Sequence, residues 1–423
     1  MIRRLQFLAI AVFLLVAAFS TGADFLFFLV YLGLLVIGGA YVVTRFGLSD
    51  LEAGYVLDKA HAHVGDTLRA TYTLRNTSRL PKLWLEVHNP STLPAPLPGR
   101  ALALQSRAER TWVARVPLIR RGHFRVDPMT LRTGDPFGLF ESYATVGAGS
   151  TVIVYPRLEA LPRWRIPPAF IEGSQASPER TLQTTPLVTS VRPYVPGDDY
   201  KKIHWKSSAR QMELQVKEFD LEQTADVAIY LDLERRVHTG EDDESTIESA
   251  VRVAAAVSAR ALAENRAVAM TAAGHRTAVL PADRGARQQQ KVMQLLAAVN
   301  ADGDTPLRET LVQGLPRLRR GMIAVVITPS VEREWVAPLS GLRARGVATV
   351  VCLLDAGAYD DHWRREAGLP LVAGTDREDR TRNARAIRHG LAEYDLPVFV
   401  ITPQRALSEI MVAPGFARQA VRA

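Results

Sequence analysis

Charge is absent from Leu5 to Ala23 and again from Phe25 to Thr44, and both stretches are dominated by Leu, Val, Phe, Ile and Ala. Each has about the 20 residues that a helix needs to cross hydrocarbon with its backbone satisfied internally. A buried helical hairpin of a soluble domain would carry a polar face, and neither stretch has one. A cleaved leader is the closer competitor, because Arg3 and Arg4 precede the first stretch and Thr21-Gly22-Ala23 is a tolerable small-residue cleavage site. Even then the second stretch would remain as an anchor. Arg3 and Arg4 before the first stretch, with Arg45 and Lys59 after the second, predict that both termini and the soluble domains face the cytoplasm across a plasma membrane.

Beyond residue 50 the pattern shortens to alternating runs such as Thr67–Leu74 and Leu83–Val87, punctuated by Gly, Pro, Asn and Ser. Period two with turns at this spacing predicts an antiparallel β-sandwich of immunoglobulin-like type over residues 50–156. Residues 157–189 hold Pro162, Pro167, Pro168, Pro178 and Pro186 with little periodicity, the pattern of a linker. Over residues 226–402 the apolar runs Val227–Leu231, Val268–Thr271, Met322–Ile327, Val347–Leu354 and Val398–Ile401 alternate with helical stretches near 244–264, 284–299, 306–318, 332–345 and 376–394. Strands apolar on both faces and separated by helices predict a mostly parallel, doubly wound α/β sheet. Residues 403–423 are expected to be a tail, so the chain is multidomain.

At 423 residues the chain can build more than one core. Its 47% hydrophobic content is that of a folded protein, and the formal net charge of +8 favours acidic lipid or an acidic partner surface. Basic residues are not gathered with aromatics on one element, which argues against nucleic acid. Cys352 is the sole cysteine, so one chain can form neither a disulfide nor a cysteine zinc site. His61 and His63 alternate on a strand but lack a nearby third ligand.

The densest polar constellation runs from Arg192 to Arg210, within a segment spanning 190–225. Asp198, after Pro196 and Gly197, is placed to cap a helix running from Asp199 to Arg210. A catalytic reading makes His204 a general base oriented by Asp198 or Asp199. A site needs several convergent groups, however, and no nucleophile elbow, phosphate loop or second ligand pair accompanies them. The favoured reading is a structural helix whose Trp205 plugs a core, with its lysines either solvated or docking an acidic partner.

This stretch closely resembles the signature of the bacterial family called domain of unknown function 58, a proline-glycine-aspartate turn leading into isoleucine-histidine-tryptophan-lysine. Gly134-Asp135-Pro136-Phe137-Gly138-Leu139 is similar to its upstream motif. The resemblance implies two N-terminal spans (1–46, about 5–23 and 25–44), a strand-rich middle, the signature, and a von Willebrand A-like α/β domain. It also implies work alongside a MoxR-type AAA ATPase. Von Willebrand A domains that hold Mg²⁺ use Asp-x-Ser-x-Ser, a loop Thr and a second Asp, since the ion wants near-octahedral oxygens. Here the first motif reads Asp232-Leu233-Glu234-Arg235-Arg236, Thr305 could supply the loop hydroxyl, and Pro329 stands where the second Asp would be. The metal site is expected to be lost, although Asp232, Glu234 and Thr305 leave a weak ion conceivable.

The expected function is therefore a membrane-anchored, non-catalytic interaction or assembly scaffold without cofactor. Its binding would use Pro196, Gly197, Asp198, Asp199, His204, Trp205, Lys206 and Arg210. The rival is a hydrolase or transferase built on His204 with Asp198 or Asp199.

Overall fold

The computed structural model describes residues 2–164, 188–195, 200, 203–219, 225–373 and 375–412. Two compact units emerge: Met1–Glu159 with Gly240–Ala255 and Gln290–Asn300, and Ala160–Thr239 with Ala256–Gln289 and Ala301–Ala423.

The first unit begins with α1 (Ile2–Thr21) and α2 (Asp24–Gly47). Gly22 separates them at φ +67°, a left-handed conformation suited to glycine, and its N–H closes on the Ala18 carbonyl. That stop ends α1 two residues short of the expected boundary. Phe19 and Phe27 meet edge to face across the turn, 5.4 Å between centroids. Among the described residues α2 is long and apolar enough to cross a membrane, and α1 contains the apolar stretch Ala9–Thr21. One or both could cross.

The last turn of α2 is fixed to the strands that follow. Buried Lys82 donates from Nζ to the Phe46 carbonyl at 2.6 Å, capping the helix at its negative end. Burial lowers the Lys82 pKa, against the opposing pull of Asp50. A Cβ on Gly47 would stand 2.7 Å from Thr133 Cγ2, so only glycine allows this approach. These contacts account for a helix that continues past Thr44.

Ten strands follow: β1 (Leu51–Leu57), β2 (His61–His63), β3 (Thr67–Asn76), β4 (Lys82–His88), β5 (Arg100–Leu104), β6 (Glu109–Pro117), β7 (Gly122–Val126), β8 (Met129–Gly134), β9 (Glu141–Val146) and β10 (Ser150–Tyr155). They form sheets ordered β1-β3-β6, β5-β4-β8-β9 and β2-β10-β7. The first two are antiparallel as expected, while β2 pairs with β10 in parallel, a departure from the all-antiparallel prediction. In β3, Leu68, Ala70, Tyr72 and Leu74 point inward and alternate with Arg69, Thr71 and Arg75. The inward residues join Leu85, Val87, Val116, Met129, Leu131 and Val152 in one core. His61 and His63 flank Tyr155: the His61 Nδ1 lies 3.1 Å from the phenol oxygen, and the His63 Nδ1 lies 3.0 Å from the Pro156 carbonyl.

The second unit carries β11 (Val188–Pro193), α3 (Trp205–Gln211) and β12 (Gln215–Phe219), then a six-stranded sheet. Its strands are β13 (Val227–Asp232), β14 (Val268–Ala273), β15 (Thr277–Asp283), β16 (Ile323–Thr328), β17 (Ala348–Leu354) and β18 (Val398–Ile401). The helices interleaved with them along the chain are α4 (Thr246–Ala263), α5 (Gly285–Ala298), α6 (Leu307–Gly314), α7 (Val336–Ala344), α8 (Ala356–Glu366), α9 (Thr375–Glu393) and, last, α10 (Leu407–Ile410). The sheet order is β15-β14-β13-β16-β17-β18, parallel except for β15. Every residue of β13, β16 and β17 is buried, which explains why they read as unbroken apolar runs. Cys352, inside β17, is a packed hydrophobe whose thiol pKa burial pushes up to about 12.

Three segments differ from expectation. The edge strand β15 was not anticipated, because Pro281 interrupts it and most of it is exposed, as an edge tolerates. The short helix α8 has few apolar residues and depends on Asp355, whose Oδ1 accepts the Ala358 N–H at 3.1 Å. The expected C-terminal tail begins with α10, where Leu407 and Met411 are buried. In the expected linker, Leu161 and Trp164 are buried, and residues 165–187 lie outside the described residues.

Candidate functional site

Within the signature, β11 and β12 pair antiparallel and α3 lies in the connection between them. Pro196, Gly197, Asp198 and Asp199 lie outside the described residues, and with them the expected Asp198 cap. The described helix begins only at Trp205, and His204 is its N-cap: Nδ1 accepts the Ser207 N–H at 3.0 Å. An accepting Nδ1 places the proton of the neutral ring on Nε2. Buried Ser208 ties the helix to β12 by accepting the Gln215 N–H at 2.8 Å, and the His204 N–H returns to the Gln215 carbonyl at 2.8 Å. Ile203 is buried and bridges Val216.

Trp205 does not plug a core: 67% of it is exposed. The covered face of α3 is that of His204 and Ser208, and Trp205 falls roughly 100° round the helix from His204. Met212 follows α3 at φ 57° with 89% of its surface exposed. Lys206 and Arg210, one turn apart, are exposed too. The helix therefore presents an aromatic ring, a thioether and two cations to solvent.

A second constellation lies at the carboxyl ends of β13 and β16. In order of appearance the six strands are arranged 3-2-1-4-5-6, so β13 and β16 flank the point where the winding reverses, the place where open α/β sheets bind ligands. Asp232 ends β13 and is buried. Its Oδ2 accepts the Thr328 hydroxyl at 2.6 Å and its Oδ1 the Glu234 N–H at 3.1 Å. Thr328 ends β16, and its Oγ1 accepts the Ser330 N–H at 2.8 Å. His238 Nε2 lies 3.0 Å from the Asp232 carbonyl, which only a protonated Nε2 can satisfy. Burial pushes the Asp232 carboxyl up to about 6; the Thr328 and Glu234 hydrogen bonds pull it down, and the charges of Glu234 and Glu332 add to the rise.

Glu234 is also buried, and its Oε1 takes Arg236 at 2.7 Å. The 303–305 loop joins through Gly303, which bridges Glu234 and accepts the Arg235 N–H at 2.9 Å. Thr305, two residues further, is half-buried; Pro329 is buried between Thr328 and Ser330 and offers no side-chain oxygen. Thr328, Ser330 and His238 were not singled out from the sequence, although hydroxyls on both sides of Pro329 were a readable sign. This donor set does not fit a resident Mg²⁺: Arg236 takes one carboxylate, both Asp232 oxygens accept hydrogen bonds, and among the described residues no third carboxylate is grouped with them. Among the described residues no three His, Cys, Asp or Glu side chains are grouped to hold a metal.

The profile of the family described as "Protein of unknown function DUF58" matches residues 190–376, from the signature strand to the start of α9. The "Uncharacterized protein YeaD" of Bacillus subtilis (strain 168) is 26% identical over 318 residues, covering 71% of this chain and 74% of that protein. Among solved structures, the CARDB domain of the PF1109 protein from Pyrococcus furiosus, in complex with di-metal ions, aligns at 13% identity. It covers 25% of this chain and 92% of its own, with a TM-score of 0.19. A β-glucosidase from Listeria innocua in complex with glucose aligns at 15% identity over 25% of this chain and 16% of its own, with a TM-score of 0.18.

Proposed function

We propose that the protein is a two-pass, membrane-anchored assembly scaffold that recognises another protein through the signature helix, with its soluble domains in the cytoplasm and a MoxR-type AAA ATPase as its partner. The observation that carries the reading is the exposure of Trp205 and Met212 beside Lys206 and Arg210. Large apolar side chains gain from burial, and Trp and Arg are the residues that most often dominate a protein interface. Leaving them in water on a short helix strapped to β12 costs stability that a partner restores. The two cations favour an acidic partner and speed its approach. The strand order with one antiparallel edge supports taking the α/β region as von Willebrand A-like, a recognition domain without its usual ion.

Binding of the purified full-length protein in lipid nanodiscs to the ATPase, followed by interferometry, tests this. Trp205→Ala should weaken binding by about 2 kcal/mol, roughly 30-fold. Lys206→Glu with Arg210→Glu should slow association and remove its salt dependence. Unchanged affinity in both variants would refute the assignment of this face.

A further inference from the structure

We propose that the end of the β-sheet region next to α2 is a foot that rests in the bilayer surface, with Phe137 seated at the boundary between acyl chains and headgroups. The inference rests on reading α2 as a membrane span and adds a second contact with the lipid. Its first support is the register. Between Asp24 and Arg45 lie 20 uncharged residues, about 30 Å of helix, which is the thickness of the hydrocarbon core. Arg45 then marks the boundary, and Tyr41, four residues earlier, lies about 6 Å inside it. The Phe140 ring packs edge-on against Tyr41, 5.7 Å between centroids. A loop that touches α2 at this level cannot stand clear of the lipid.

The loop from Asp135 to Phe140 is built for such a setting. The buried Asp135 carboxylate accepts the N–H of Phe137 at 2.8 Å and of Phe140 at 2.6 Å, while the Gly138 N–H bonds the Asp135 carbonyl at 3.2 Å. Pro136 has no N–H to satisfy. Backbone donors already bonded internally lose little on leaving water. Gly138 supplies the left-handed turn at φ +71°, and Phe137 at the tip is left half exposed.

The strand register brings two more loops to the same end. Thr77 bonds the Asp50 carbonyl just past α2, and the Arg107 N–H bonds the Ser78 carbonyl. These loops expose Leu80, Arg79 and Arg107 beside Phe137's end of the sheets. Arginines at headgroup depth with an aromatic below them match the chemistry of an anionic lipid surface.

The test places a nitroxide at Phe137→Cys in the full-length protein, reconstituted in vesicles of phosphatidylcholine and phosphatidylglycerol, and compares accessibility to oxygen and to a nickel chelate. Two reference sites calibrate depth: Leu35→Cys within α2, and Val56→Cys on β1, exposed and about 16 Å along the strand from Leu51. The unsubstituted protein, with Cys352 buried, sets the labelling background. The expected oxygen-to-nickel ratio at 137 is several-fold above that at 56 and below that at 35. A ratio at 137 equal to that at 56, with 35 deep in hydrocarbon, overturns the foot and leaves the span standing. An aqueous reading at 35 overturns both.

Discussion

Asp232→Asn tests the account of the buried carboxylate most directly. Burial holds this group at about 6 against an ordinary 3.8, so the folded state prefers the protonated form. The stability it contributes is complete below pH 3.8 and is lost as pH rises through about 6, a loss of about 3 kcal/mol by pH 7. Asparagine cannot ionise and keeps the shape, so the difference in stability, variant minus parent, should rise by about four-fifths of that amount between pH 4 and pH 7.5, and by all of it from a start well below pH 3.8. Taking the difference cancels the titrating groups that do not sense Asp232, and following its change with pH removes the constant cost of altering the Thr328 hydrogen bond. For a domain of this size 3 kcal/mol corresponds to roughly 6–12 °C in melting temperature. Intrinsic fluorescence in nanodiscs can follow it, since Trp335 is buried in the same core as β16 and β17. A difference that is flat, or that falls as pH rises, would refute the reasoning. A falling difference is what a cation bound at Asp232 would produce, because it would hold the carboxyl below its ordinary value.

Two other substitutions probe the site. His204→Ala should cost about 0.5–2 kcal/mol through loss of the cap on the Ser207 N–H, and His204→Asn should restore most of it; chemical denaturation measures both, and a turnover abolished equally by both changes would revive the catalytic reading. Gly303→Ala should destabilise by about 1–3 kcal/mol, because its Cβ would sit 2.6 Å from the Ala273 carbonyl oxygen, backbone that cannot turn aside; a variant that melts like the parent would refute the close approach.

Much of the architecture could be read from periodicity. The alternation in β3 assigns each side chain to a face, and the unbroken apolar runs of β13, β16 and β17 announce strands covered on both sides. Where periodicity is weak, the reading failed for definable reasons. Strand β15 pairs with β14 at an exposed edge, and α8 begins at a capping carboxylate and buries only Tyr359 and Asp360, so neither leaves an apolar pattern. The parallel pairing of β2 with β10 joins residues some ninety positions apart, and a three-residue strand has too little pattern to announce a partner so distant.

The site was legible in composition but not in arrangement. The signature residues were identifiable as a group, yet Trp205, expected to plug a core because of its size, stands exposed, while the small Ser208 and the capping His204 take the covered face. At β13 the sequence identified Asp232, Glu234 and Arg236 by position, but not what each would meet. Arg236 stands at the last position of the Asp232 motif, and in the fold it pairs with Glu234. Among the described residues Asp232 has no such partner; a hydroxyl and an amide hold it, and hydrogen bonds from neutral donors offset only part of the cost of burying a charge. The raised carboxyl is the residue of that imbalance. One carboxylate matched by a guanidinium and another left to neutral donors make a pocket that accepts a proton at Asp232 more readily than it would assemble a shell of oxygens around a metal.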